Sequence, residues 1–244
     1  MGAWSDTRHG GVPTRRFVVV IDLDGTLVDS AAVCARIVNH MLSERNADRR
    51  VRADDARRWI SHGGQAMVRA LLGPAAGDPE GDLAAFRDAY AQVPTPPESL
   101  YPGVRETLEA LSQRGFVLAV CSNKPQQLCE KVLGDLGLEG FFDTVVGSAA
   151  GRPAKPHVAP LDLALAQAGG ARTYCCHVGD SLYDQQVAEG AGAPFIFAAY
   201  GYPEAGLAPR AAAVAQAFPQ VVAVAERLRA QADLGPAIAE AAGR

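Results

Sequence analysis

The chain has 244 residues, 48% of them hydrophobic and 20% charged, with a formal net charge of −4. That length can bury a sizeable core, and the composition is that of an ordinary globular protein. The mild acidic balance argues against a nucleic-acid footprint or an anionic membrane partner, and no apolar run approaches the roughly 18 residues of a spanning helix.

In chain order, residues 1–16 hold Gly, Arg, Asp and Pro but no apolar stretch of a secretory signal, so a disordered arm is expected there. "FVVVIDLDGTLVDS", from Phe17 to Ser30, opens on a β-branched run that reads as a fully buried strand. It ends in two carboxylates, Asp22 and Asp24, followed at once by Gly25 and Thr26. The next stretch breaks into helical segments, "SAAVCARIVNHMLSER", "RADDARRWISHG", "GQAMVRALLG" and "GDLAAFRDAYAQV", with no evident strand. The proline-rich "PTPPESLYPG" closes it as a linker.

From Tyr101 onward strands alternate with amphipathic helices. "PGVRETLEALSQRG" has Pro102 at its start, Gly115 at its stop, and Val104, Leu108 and Leu111 on one face. "FVLAVCSN", "DTVVGS", "TYCCHVGD" and "PFIFAAYG" read as strands, separated by helices over "PQQLCEKVLGDLG", "VAPLDLALAQAGG" and "LYDQQVAEGAG". "FPQVVAVAERLRAQA" is the closing helix, and the Ala-rich end is expected to fray. Such alternation implies an α/β fold: a Rossmann-like parallel sheet covered on both faces, with ligands beyond the carboxyl ends of its strands. The expected division is a core over 17–27 and 99–231, an inserted helical cap over 28–98 and a tail over 232–244. The five cysteines are odd in number and lack metal-type spacing, which suits small hydrophobes in a reduced cytoplasm.

Four short pieces fall at predicted strand ends: Asp22-Leu23-Asp24-Gly25-Thr26, Cys121-Ser122-Asn123-Lys124, Lys155-Pro156, and Gly179-Asp180-Ser181-Leu182-Tyr183-Asp184. A parallel sheet would bring all four to one rim. Asp22, Asp24 and Asp180 then form an oxygen-rich site suited to Mg²⁺, which favours octahedral oxygen ligands. Asp184, four residues beyond Asp180, is expected on the same helix face and near the metal or its waters. Ser122 and the amides around Asn123 stand at a helix mouth, a natural anion site, and Gly25 lets the backbone approach closely.

"DLDGTLVDS", "SNKP", "AKPHVAP" and "VGDSLYDQQVAEGAGAPFIFAAYGY" together resemble the haloacid dehalogenase superfamily, and within it the phosphoglycolate phosphatase group with a helical cap. The resemblance runs from Phe17 to Pro203; His157 departs from the usual pattern, and "WISHGGQAM" is only loosely similar to that group's substrate loop. The resemblance implies a Mg²⁺-dependent phosphatase of a small phosphomonoester, phosphoglycolate-like by preference, or else a biosynthetic or sugar phosphatase. It implies Asp22 as nucleophile, forming an aspartyl-phosphate, and Asp24 as the general acid and base. The metal would be held by Asp22, the Asp24 carbonyl, Asp180 and Asp184. Gly25, Thr26, Ser122, Asn123 and Lys155 would serve the phosphate, with Lys155 also opposing the nucleophile's charge. Lys124 is expected to face solvent, and His62, Gln65 and Arg69 are the candidate specificity residues of the cap.

Dehalogenases of this superfamily lack an acid two residues after the nucleophile, and its phosphonate-cleaving members use a cap lysine. Asp24 is present here, and no lysine lies between Val28 and Glu98. A phosphomutase, or a non-catalytic binding protein on the same fold, remains a rival. The expected partner is a small phosphorylated metabolite, with no nucleic acid and no membrane, for a cytoplasmic monomer or homodimer.

Overall fold

The structure is a computed structural model that describes residues 16–202 and 210–242. Arg16 apart, the arm expected over 1–16 lies outside them. Strand β1 (Val18–Ile21) is four buried β-branched residues. Val18 and Val20 pack on one face of the sheet, Val19 and Ile21 on the other. That strict alternation is what a strand covered on both sides requires. Each such buried side chain contributes about 1.5–3 kcal/mol relative to exposure.

Around β1 stand β2 (Val117–Pro125), β3 (Thr144–Ser148), β4 (Cys175–Gly179), β5 (Phe195–Ala198) and β6 (Ala213–Ala215). All pair in parallel, in the order β3-β2-β1-β4-β5-β6. The order reverses at β1, so the carboxyl ends of β2 and β4 flank its own, and ligands of such sheets sit at that reversal. The short β6 was not anticipated from the sequence. Its three residues include one exposed valine and carry too little periodic signal.

Helices α5 (Val104–Gln113), α6 (Gln126–Asp135) and α9 (Val221–Ala242) cover one face, burying Leu108, Leu111, Val132, Val221 and Ala225. On the opposite face, α7 (Ala159–Gln167) and α8 (Leu182–Ala191) place Leu161, Leu165 and Val187 against Val18 and Val20. Cys175 and Cys176 point into opposite layers, as adjacent strand residues must, and all five cysteines are free and buried. Among the described residues no helix is long and apolar enough to cross a membrane.

Between β1 and β2, α1 (Ala31–Glu44), α2 (Ala53–Ile60), α3 (Gly64–Leu72) and α4 (Pro79–Gln92) pack on one another. The chain leaves and re-enters the sheet side by side: Asp29 N donates to Ser99 O at 2.7 Å, and Tyr101 N to Leu27 O at 3.1 Å. Asp78 caps α4 by accepting from Gly81 N, with Pro79 at the first helical position. Arg45 of the α1 C-terminus meets buried Asp82 at 2.5 Å and ties the two helices together. These four helices therefore stand over the rim where β1, β2 and β4 end.

Candidate active site

Asp22 follows β1 directly, and its Oδ1 accepts from Leu23 N at 2.7 Å. Asp180 follows β4, and Lys155 reaches in from the loop ahead of α7. The ammonium of Lys155 stands 3.1 Å from Asp22 and 2.6 Å from Asp184, and it also donates to the Cys121 carbonyl at 2.9 Å. Burial alone would lower this lysine's pKa, but Asp184 and Asp22 more than restore it, so it is a fixed cation. Asn123 aligns the loop that carries it, accepting from Lys155 N at 2.8 Å and donating to Lys155 O at 3.0 Å. Asn123 thus holds the lysine's backbone, an arrangement that the sequence does not disclose.

Asp22, Asp180 and Asp184 can present ligand oxygens within 4.8 Å of one another. Burial pushes the Asp22 carboxyl up to about 7 despite the opposing Lys155, and it pushes Asp180 well above the ordinary range, with the neighbouring carboxylates adding to the effect. A protein isolates like charges in this way at a cost that a bound cation would relieve. The backbone makes room for this cluster. At Gly25 φ is +82°, and a Cβ there would stand 2.2 Å from Asp180 Oδ2. A Cβ at Gly201 would meet Gly25 O at 2.1 Å. The oxygen-rich donor set and this cradle fit a hard divalent cation such as Mg²⁺.

Asp180 is fixed from two sides, by Thr26 Oγ1 at 3.2 Å and by Tyr202 N at 2.7 Å. The Thr26 hydroxyl therefore orients a carboxylate, whereas the sequence reading assigns it to phosphate. Asp184 does not share a helix face with Asp180, because Asp180 precedes α8 and Ser181 is its N-cap. Asp184 is the third helical residue and forms a capping box with Ser181, accepting from its hydroxyl at 2.6 Å and its amide at 3.1 Å. Its other oxygen takes Lys155 and the Nε2 of His177 at 3.0 Å. With both oxygens engaged, Asp184 chiefly anchors the lysine.

Lys124 does not face solvent. Its side chain is 8% exposed, and its ammonium lies 3.1 Å from Asp24 Oδ2 and 4.1 Å from the centre of the Tyr90 ring. The ladder between β2 and β3 shifts register between Cys121 and Pro125, which turns the chain at Ser122-Asn123-Lys124. Alternation along the strand cannot foresee that turn.

A cavity of about 290 Å³ lies between the sheet rim and the four helices. Asp22, Asp24, Ser122, Asn123, Lys155 and Asp180 line its floor. His62 reaches its wall beside Gly63 and Gly64. Gln65 and Arg69, the other two specificity candidates, are exposed on α3 and do not line it. Tyr90 and Arg87 of α4, which do line it, were not singled out from the sequence because a helix period alone reads Tyr90 as core.

A family model for haloacid dehalogenase-like hydrolases matches residues 19–198. The phosphoglycolate phosphatase of Colwellia psychrerythraea is 35% identical over 193 residues, 76% of this chain and 85% of that protein. The one from Rhodobacter capsulatus is 34% identical over 188 residues, covering 75% and 84%. Among solved structures, a predicted phosphoglycolate phosphatase from Haemophilus somnus superposes with a TM-score of 0.74 at 26% identity, over 87% of this chain and 99% of that one.

Proposed function

The chain belongs to the haloacid dehalogenase-like hydrolase family, and from that membership we propose that it is a Mg²⁺-dependent phosphatase working through an aspartyl-phosphate on Asp22. The net reaction is a phosphate monoester plus water giving an alcohol plus inorganic phosphate. A single observation supports it most: Lys155 stands between the Asp22 and Asp184 carboxylates at 3.1 and 2.6 Å, with Asp180 completing the cluster.

Asp22 attacks phosphorus in line, and the bond to the leaving oxygen breaks as the new P–O bond forms. Asp24 delivers its proton to that oxygen. In the second step Asp24 takes the proton back from a water, which attacks the same phosphorus and releases Asp22 as a carboxylate. Lys155 holds its charge against Asp22 and the transferring group throughout, a preorganised term of the kind whose removal costs roughly 3–4 kcal/mol. Asp22, Asp180 and the Asp24 carbonyl would hold Mg²⁺, which supplies charge neutralisation between these carboxylates and the phosphoryl oxygens. Ser122 and the backbone amide of Asn123, on the cavity floor, would serve the phosphoryl oxygens.

Phosphoglycolate, the substrate in the relatives' names, is the first candidate. A dedicated phosphatase of another small metabolite is the second reading, and the apolar upper wall of the cavity favours it. Phosphate release from a phosphomonoester panel with Mg²⁺ tests the reaction class: turnover should vanish with EDTA and in Asp22→Asn. Wild-type turnover in Asp22→Asn would overturn the assignment.

A further inference from the structure

We propose that the site selects phosphate monoesters whose alcohol carries an apolar body, an alkyl, alicyclic or aryl group, over the two-carbon carboxylate of phosphoglycolate. This rests on the phosphatase reading of the same cavity. Above the polar floor, Ile60, Met67, Leu83 and Phe86 from the helical insertion and Leu128 of α6 form an apolar stretch of wall, beside Ser61, His62, Arg87 and Tyr90. Met67, Phe86 and Leu128 are buried, so this is a formed surface.

Charge points the same way. Lys155 already faces Asp22 and Asp184, and Lys124 faces Asp24 while its ammonium lies over the Tyr90 ring. The other basic side chains lining the cavity, His62 and Arg87, are both exposed. A carboxylate on the leaving alcohol would be desolvated against aliphatic carbon, with each buried cation already matched to an acid of the protein. An apolar body would instead bury its surface on that wall, at about 0.8 kcal/mol per methylene. At about 290 Å³ the cavity is close to the smallest that small-molecule sites usually span, roughly 300 Å³, which suits a compact metabolite.

The test uses the wild-type enzyme with Mg²⁺ and a series of unactivated substrates, methyl through hexyl phosphate, beside phosphoglycolate. The inference expects kcat/KM to rise roughly threefold to fourfold per methylene over the first members, and to exceed that for phosphoglycolate by butyl phosphate. Leu83→Asn should flatten the slope, and alkylphosphonates of the same lengths should bind progressively tighter by calorimetry. A flat or falling series with phosphoglycolate preferred would overturn the inference, because the wall would then not select an apolar body, while the phosphatase reading would stand. Absence of turnover on every ester would overturn both.

Discussion

Lys124 Nζ and Asp24 Oδ2 lie 3.1 Å apart, largely buried, with the ammonium over the face of Tyr90. The pair joins the segment after β2 to the segment after β1 and places a cation against the residue proposed as the general acid and base. Burial alone would disfavour this ammonium, yet the Asp24 charge holds its pKa above the usual lysine range. Lys124→Met keeps the stem and removes the charge. Breaking a buried pair by deleting one partner costs about 3–5 kcal/mol, and because Asp24 retains 17% side-chain exposure the lower end applies. A thermal melt should show the loss, with kcat reduced at least tenfold. A melt and a kcat both matching wild type would remove the pair from the mechanism.

Asp184 supports Lys155 in the same way that Asn123 supports its backbone. Because the carboxylate also serves Ser181 and His177, Asp184→Asn disturbs several buried contacts at once. Ser181→Ala is the milder probe: it removes the α8 cap and one bond to Asp184 and leaves every charge in place. Loss of such a cap costs about 1 kcal/mol. Chemical denaturation should show that loss, and kcat should fall more than KM changes as the lysine loses its anchor. An altered KM at constant kcat would mean that Asp184 does not position Lys155.

The parts of this architecture that can be read from sequence are local. The run Phe17–Ile21 declares a buried strand, prolines and glycines mark the ends of core helices such as α5 and α6, and parallel-sheet geometry then brings Asp22, Ser122, Lys155 and Asp180 to one rim. What escapes is set by contacts distant in sequence or by irregular backbone. The orientation of Lys124 depends on a register shift in β2, and Thr26 turns to Asp180 across 154 positions of chain. Asp180 and Asp184 do meet, as their spacing of four suggests, but not on one helix face, because the helix begins only after Ser181. Gln65 and Arg69 fail as cavity residues because α3 presents Met67 inward, a choice made by packing against α4.

Arg57 of α2 links the helical insertion to the core through Asp29, at 2.5 Å. Asp29 also accepts from the Tyr202 hydroxyl at 2.7 Å, and the Tyr202 amide donates to Asp180. Burial pushes the Asp29 carboxyl up, but the bonds from Arg57 and Tyr202 outweigh it, so its pKa is lowered from the usual carboxylate value. The arginine is 41% exposed, so its energetic worth is small, about 0.2–1 kcal/mol, and is screened by salt. Arg57→Ala should raise KM a few-fold with little change in kcat, and high salt should produce part of that rise in the wild type. Salt-independent kinetics in both proteins would show that this contact does not hold the insertion over the site.

The helical insertion carries its own acid sensitivity through Asp82. Hydrogen bonding from Arg45 holds the Asp82 carboxyl below the usual range, although burial opposes it, and the Gly77 amide adds a further bond at 2.8 Å. A depressed folded-state value means that the unfolded chain binds the proton first as pH falls. The stabilisation is complete above the ordinary carboxylate value, about 3.9, and disappears as pH drops through the lower folded value. Bonds to charged groups of this kind contribute about 1.5–3 kcal/mol. Asp82→Asn should therefore destabilise the protein near neutrality by about that amount and flatten the acid limb of its stability profile. Urea melts between neutral and strongly acid pH measure both effects; a variant whose deficit stays constant down to the lowest pH would show that this pair does not titrate with folding.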